Sequence, residues 1–298
     1  MGTIVALVGG AYWAYVASRP YLYLQGIAGW YTYDLLFSSA SWALLAAVAA
    51  GAATGAAHSQ HARGELLNGT VYRHDAATFF QHWGVVVSTL ILLVTGILLG
   101  SVISPRLLSQ ANTVGFLMNL HFVATLLFLF AAFFHVAHYY LRSEERDIVL
   151  QGGDFGRGLA TLGAMVHLAK APQEAGNKYQ ASEKLAYLGW AVMIAGIMVS
   201  GGIKVAAHVW TGLPAGLMLV TTWAHDLFAL GMLLLLIVHV AFVLLPDHRP
   251  LLGSMIHGRV SADFVRQHQP AWYRRITAGV AGSTGTAAAA RAKGDRHE

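Results

Sequence analysis

Apolar residues along this chain come in long unbroken blocks separated by short polar links, with no polar face recurring inside them. Helices surrounded by lipid read this way, whereas a helix on a soluble core shows an amphipathic stripe. The blocks fall at residues 2–18, 35–57, 76–101, 117–141, 184–207 and 219–245, and each is predicted to be a membrane-spanning helix. The first is only just long enough to span, and it ends at Arg19-Pro20. No basic stretch precedes it and no small-residue cleavage site follows, so a retained helix is expected rather than a signal peptide. The second is rich in Ala and Gly, which suits close helix packing in lipid. Asp75, at the end of a polar connector from His58, is placed to cap the third. The longest polar segment, 142–183, reads as a loop and not as a separate domain. The chain thus divides into N-terminal helices with their connector (1–71), a four-helix core (72–246), and a polar C-terminal tail (247–298) that turns into a disordered Ala/Gly stretch from about 277.

Composition narrows the class. At 56% hydrophobic and 11% charged residues over 298 positions, with a mean hydropathy of +0.54, a soluble fold is excluded. The net charge of +5 does not indicate nucleic acid, because the basic residues are spread over inter-helix segments and the tail. They sort as positive-inside: Arg142, Arg146, Arg157, Lys170 and Lys178 share one segment, the tail is also basic, and Arg106 and Lys204 stand alone in the alternate loops. Both rich segments are therefore expected to be cytoplasmic. Helices 117–141 and 219–245 then run from outside to inside, and helix 76–101 the other way. With no cysteine, the chain cannot hold disulfides, thiolate-ligated clusters or thioether-attached haem, so any metal must take histidine or oxygen ligands.

Histidines supply the candidate chemistry. His225 and His239 stand fourteen residues apart in one span. At about 100° per residue they share a helix face, about 21 Å apart along the axis. Electron-transfer haem b takes two imidazoles from opposite sides, so ligands must come in depth-matched pairs on different helices. Near the outer face His121 matches His225. Near the inner face His239 has two possible partners, His82 and His135, and spacing leaves the choice open. A single membrane histidine is often only a hydrogen-bonding group between helices, but four at matched depths form a functional hypothesis. His138, His167, His208, His257 and His268 lie near span ends or in loops and are assigned no metal. Gly84, Gly96 and Gly231 would let a flat macrocycle approach the backbone, although glycine is common in membrane helices. A haem-free transporter or proton-relay subunit is the alternative function.

Five segments, in order, resemble one family. They are Phe80-Gln81-His82-Trp83, Asn119-Leu120-His121, Lys178-Tyr179-Gln180-Ala181-Ser182-Glu183-Lys184, the His225/His239 helix, and His268-Gln269-Pro270-Ala271-Trp272-Tyr273. Together they resemble the membrane cytochrome b (gamma) subunit of respiratory formate dehydrogenases, with related hydrogenase and thiosulfate reductase subunits, over about residues 72–275. The resemblance implies an all-α integral membrane protein with a four-helix di-haem core and one or two extra N-terminal transmembrane helices. It implies two haem b groups, ligated by His121 with His225 and by His82 with His239, with His135 as runner-up to His82. It further implies a quinone, menaquinone or ubiquinone, near Gln180, Glu183 and Lys184. Gln180 and Ser182 depart from the family's usual Asn and Gly there. An iron–sulfur or other electron-transfer subunit and a catalytic subunit on the extracytoplasmic side are the implied partners, in the cytoplasmic membrane of a bacterium or archaeon. The chain would then be an electron conduit, not catalytic alone.

Overall fold

The computed structural model describes residues 2–17, 35–58, 66–100, 102–103, 105, 107–108, 110–141, 147–165, 168, 170, 176–210 and 212–278. Expectations for Arg19, Pro20, Arg106, Arg142, Arg146, His167 and the tail beyond 278 lie outside these residues. Among the described residues, four helices are long and apolar enough to cross a bilayer, starting from Ala76, Thr113, Ala181 and Ala215. In chain order the helices are α1 (Gly2–Ala17), α2 (Leu36–Ser39), α3 (Trp42–Ala57), α4 (Ala76–Leu99), α5 (Ala111–Leu141), α6 (Asp154–Met165), α7 (Ala181–Val209) and α8 (Ala215–Val243). At about 1.5 Å per residue α4, the shortest of the four long ones, measures about 36 Å, against about 30 Å of hydrocarbon. Each of the four long helices lies within about six residues of its sequence expectation at either end.

Two compact units divide the chain. The first comprises Met1–Ser59, Phe80–Leu141 and Ala191–Leu236. Within it α3 lies on α5 through Gly51 and Gly55, a small-xxx-small pair: an added Cβ at either would overlap the carbonyl of Phe130 or Phe134. The single span expected over 35–57 is corrected, since the helix breaks at Ala40 and Ser41 and α3 alone has 16 residues. The break lets α2 dock separately. Its first backbone N–H, at Leu36, donates to Oδ1 of the buried Asn119 (2.9 Å), and Phe37 meets Phe122 edge-on with centroids 5.0 Å apart. A helix start buried in apolar surroundings needs such an acceptor.

The second unit comprises Gln60–Phe79, Arg142–Trp190 and Ile237–Glu298. It holds a small antiparallel sheet that the sequence reading missed: β1 (Leu66–Leu67), β2 (Thr70–Tyr72) and β3 (Arg259–Ser261), in that order. β1 and β2 form a hairpin closed by Asn68 and Gly69, both at positive φ (50° and 75°), and Val71 pairs with Val260 across 189 residues of chain. After α8 come α9 (Arg249–His257) and α10 (Ala262–His268), the latter capped by Ser261 Oγ, which accepts the Phe264 N–H; a last helical stretch covers 270–278. Val71, Val260, Val265, Trp272 and Ile276 make its apolar core, so the polar stretch after Pro246 is folded as far as 278. The loop expected over 142–183 is also corrected, because it contains α6, with Asp154 in its first turn. Asp75 caps α4 as expected: its Oδ1 accepts from both the N–H and the hydroxyl of Thr78 (2.7 Å each).

Candidate haem-ligand site

His121 stands ten residues after the first residue of α5, and His225 ten residues after the first of α8. Both belong to the first unit and lie within electrostatic reach of each other. Each imidazole is held the same way by the helix beside it. Thr95 Oγ1 on α4 lies 2.7 Å from His121 Nδ1, and Ser200 Oγ on α7 lies 3.1 Å from His225 Nδ1. Both hydroxyls are almost fully buried, at 2% and 4% exposure.

A count of protons bears on the tautomer. A hydroxyl has one hydrogen and can accept on its oxygen. Thr95 donates its hydrogen back to the Ile91 carbonyl (2.7 Å), and Ser200 donates its own to Gly196 (2.8 Å). Each oxygen can then accept from an Nδ1–H, and in that tautomer each histidine presents the Nε2 lone pair. That is the form a metal-ligating imidazole takes when a second group fixes its other nitrogen. Next to each hydroxyl is a glycine. A Cβ at Gly96 would stand 3.9 Å from His121 Cε1, and one at Gly201 would stand 3.3 Å from His225 Cε1. Thr95-Gly96 and Ser200-Gly201 thus set a hydroxyl beside each Nδ1, and at Gly201 the missing side chain also leaves room for the ring, whereas a Cβ at Gly96 would make only an ordinary contact. Sequence reasoning missed both, although a hydroxyl–glycine pair recurring before each histidine, at separations of 26 and 25 residues, is visible once the pairing is known. The residues present therefore fit a bis-imidazole haem.

Phe37 adds a wall to this site. Its ring lies 6.5 Å from that of His121 and stacks on His208 at 5.8 Å. Gly231, considered as a place for a macrocycle, instead makes room for a helix neighbour, since a Cβ there would run into Met193 Sδ at 2.5 Å. Gly84 likewise faces Ala131, at 3.4 Å.

The other candidates are placed as follows. His82 stands six residues into α4 with its ring edge-on to Trp83 at 5.4 Å. His135, six residues before the end of α5, lies with Nδ1 3.0 Å from Gln81 Oε1 and its ring 4.4 Å from that of Tyr139. His239, in the second unit and four residues before the end of α8, meets Trp190 edge-on at 6.4 Å. His138 is fully buried and stacks on Phe134.

Of the quinone candidates, Gln180 is the residue before α7, and its backbone N–H donates to Glu183 Oε2 (2.7 Å), so Glu183 acts as a helix-capping group. Lys184 is 3% exposed and pairs with Asp154 Oδ2 at 2.9 Å. Burial alone would push the Asp154 carboxyl up. Hydrogen bonds from Lys184, from the Gln151 N–H and from Arg157, with the charge of Lys184, outweigh it and bring the carboxyl down to about 2 from 3.8. The two polar motif segments meet within the second unit. Lys178 O accepts from Arg73 (2.9 Å) and from Gln269 Nε2 (3.0 Å), while the Arg73 guanidinium, 6% exposed, lies over the rings of Tyr179 and Trp272. Arg73, absent from the sequence-derived candidates, ties the start of α4 to both segments.

Four long apolar helices mark a multi-pass membrane protein, and half-buried imidazoles on two of them, each with Nδ1 beside a buried hydroxyl, suit a haem b electron carrier. The chain belongs to the prokaryotic cytochrome b561 family, whose profile matches residues 73–258, more than half of its length. No curated protein matches it.

Proposed function

We propose that this chain is the di-haem cytochrome b subunit of a multi-subunit respiratory oxidoreductase of the formate dehydrogenase gamma kind, linking an extracytoplasmic partner to quinone in the cytoplasmic membrane. One observation carries the reading: His121 on α5 and His225 on α8 each have Nδ1 within hydrogen-bond distance of an almost fully buried hydroxyl, at 2.7 and 3.1 Å, which leaves Nε2 for a metal. Haem b held by two imidazoles supplies one-electron transfer without a change of ligands. The protein's part is to hold both rings fixed, so that little reorganises when the charge changes, and to keep water from them with Phe37, Phe122 and the neighbouring helices.

For the second haem we take His82 with His239, on the strength of the family resemblance. At the quinone position the reading leans on Gln180. The side chain of Glu183 is taken up in capping α7 and that of Lys184 in its pair with Asp154, and the carboxamide of Gln180 remains for a quinone carbonyl. A chain without cysteine cannot hold the iron–sulfur clusters that would deliver electrons, so an electron-transfer subunit and a catalytic subunit must do so.

The test is a reduced-minus-oxidised spectrum and a haem extraction on the purified chain. A b-type alpha band with two protohaems per chain is expected, and absence of the band refutes the cytochrome reading in favour of a haem-free proton relay. His121→Ala and His225→Ala should each remove the same haem. His82→Ala should remove the other, and His135→Ala neither; a His82→Ala protein with both haems would move that ligand to His135. Co-purification of subunits from the native membrane tests the partner assignment.

A further inference from the structure

Lys204 is the ionisable group that the haem reading leaves without a task. It lies within α7, five residues before Val209, on a membrane-spanning helix. A charged side chain there is costly unless it finds a partner or a role. Ser200, Lys204 and His208 follow one another at intervals of four, so they share one face of α7. Ser200 on that face holds His225, and His208 on it stacks on Phe37, whose ring also borders His121. Lys204 is therefore one turn from the group that holds one imidazole and one turn from the aromatic contact that reaches the other. It lies within electrostatic reach of His121, His208, His225 and Asp226. No described carboxylate stands within ion-pair distance of its ammonium. Asp226, the acidic group in its reach, uses Oδ2 to accept the Val102 N–H (2.9 Å).

We propose that Lys204 is the counter-charge for the propionate carboxylates of the haem held by His121 and His225, and that it sets the reduction potential of that haem. The inference rests on the haem reading given above. Haem b brings two carboxylates into a region where anions need a cation, and Lys204 is the cation that α7 places on the face carrying the site. A fixed positive charge favours the reduced iron, because reduction lowers the local positive charge by one. The geometry of Ser200 and His208 places Lys204 as a positioning and tuning residue, not as a ligand.

Redox titration of the full-length protein, followed at the alpha band, tests this with Lys204→Gln, Lys204→Met and Lys204→Arg. The component that His121→Ala removes should fall in the Gln and Met variants by about tenfold in its reduction equilibrium constant, about 59 mV for a one-electron couple. The Arg variant should titrate like the parent, and the second component should not move. Loss of that haem in the Gln and Met variants, restored by Arg, supports the proposal equally. A lysine that only reaches toward the aqueous boundary leaves the potential unchanged. Gln and Met variants with full haem content and the parental potential therefore overturn the proposal while the haem reading stands, as does an Arg variant shifted as far as Gln. A parent protein without haem overturns both.

Discussion

Thr95→Val should loosen the haem held by His121. Valine has the shape of threonine without the hydroxyl, so packing on α4 changes little while His121 Nδ1 loses its acceptor at 2.7 Å. With Thr95 2% exposed, water does not replace it. A buried donor left without its partner costs about 1–3 kcal/mol. At about 1.4 kcal/mol per tenfold, that weakens haem retention by about 5- to 150-fold. The effect measured when outer-shell partners of metal-bound histidine are removed, about 10- to 100-fold, lies in the same range. Ser200→Ala should act equally from the other side, through His225 Nδ1. The assay is the transfer of haem in detergent to an excess of a haem-scavenging apoglobin. The parent should lose haem slowly, Thr95→Val and Ser200→Ala should each give one fast component, and Thr95→Ser and Ser200→Thr should restore the slow rate. Fast loss that the hydroxyl-preserving variants do not correct, or no change in the Val and Ala variants, refutes the hydroxyl-locked tautomer.

The two glycines beside these hydroxyls should differ: Gly96→Ala, with 3.9 Å to His121, should keep the parental spectrum, while Gly201→Ala, with 3.3 Å to His225, should shift the potential or low-spin EPR signal of the same haem. In the second unit, Asp154→Asn leaves Lys184 buried without its counter-charge and should destabilise the protein by about 3 kcal/mol, read as a lower unfolding temperature in detergent. Because the folded carboxyl titrates at about 2 and the unfolded one at 3.8, the contribution of Asp154 is fully present above pH 4 and is lost as the pH falls toward 2; the Asn variant should lack that portion of the acid dependence. Gly55→Leu would force α3 off the Phe134 carbonyl on α5, so it should lower the unfolding temperature more than Ala49→Leu, one turn and a half away.

The sequence and the structure agree where the governing physics is local. Lipid demands helices with their backbone groups satisfied internally, so the four long apolar blocks could be located to within a turn or two. Asp75 was recognisable as a cap because a carboxylate three residues before Thr78 has one obvious donor to accept. Asn68-Gly69 between Leu66-Leu67 and Thr70-Val71 is a strong hairpin signal, and reading 58–75 only as a polar connector overlooked it. Strand β3 was not readable, because three residues form a strand only when Val260 meets Val71 across 189 residues. The break at Ala40 was equally hidden, and so was the acceptor that Asn119, 83 residues away, gives the first N–H of α2.

The sequence by itself determined the class: long apolar blocks make a membrane chain, without cysteine any iron must take histidine or oxygen ligands, and depth counting offered His121 with His225 as one pair. Tertiary structure decided what that pair meets, because the partner of each Nδ1 is whatever the fold sets opposite it. Thr95 and Ser200 are ordinary hydroxyls in membrane helices until the packing of α4 against α5, and of α7 against α8, sets them there. It also decided that Glu183 caps a helix, that Lys184 belongs to Asp154, and that Lys204 belongs to the site. A charge in a sequence has no partner until the fold supplies one, and in a low-dielectric interior the partner fixes what the charge does.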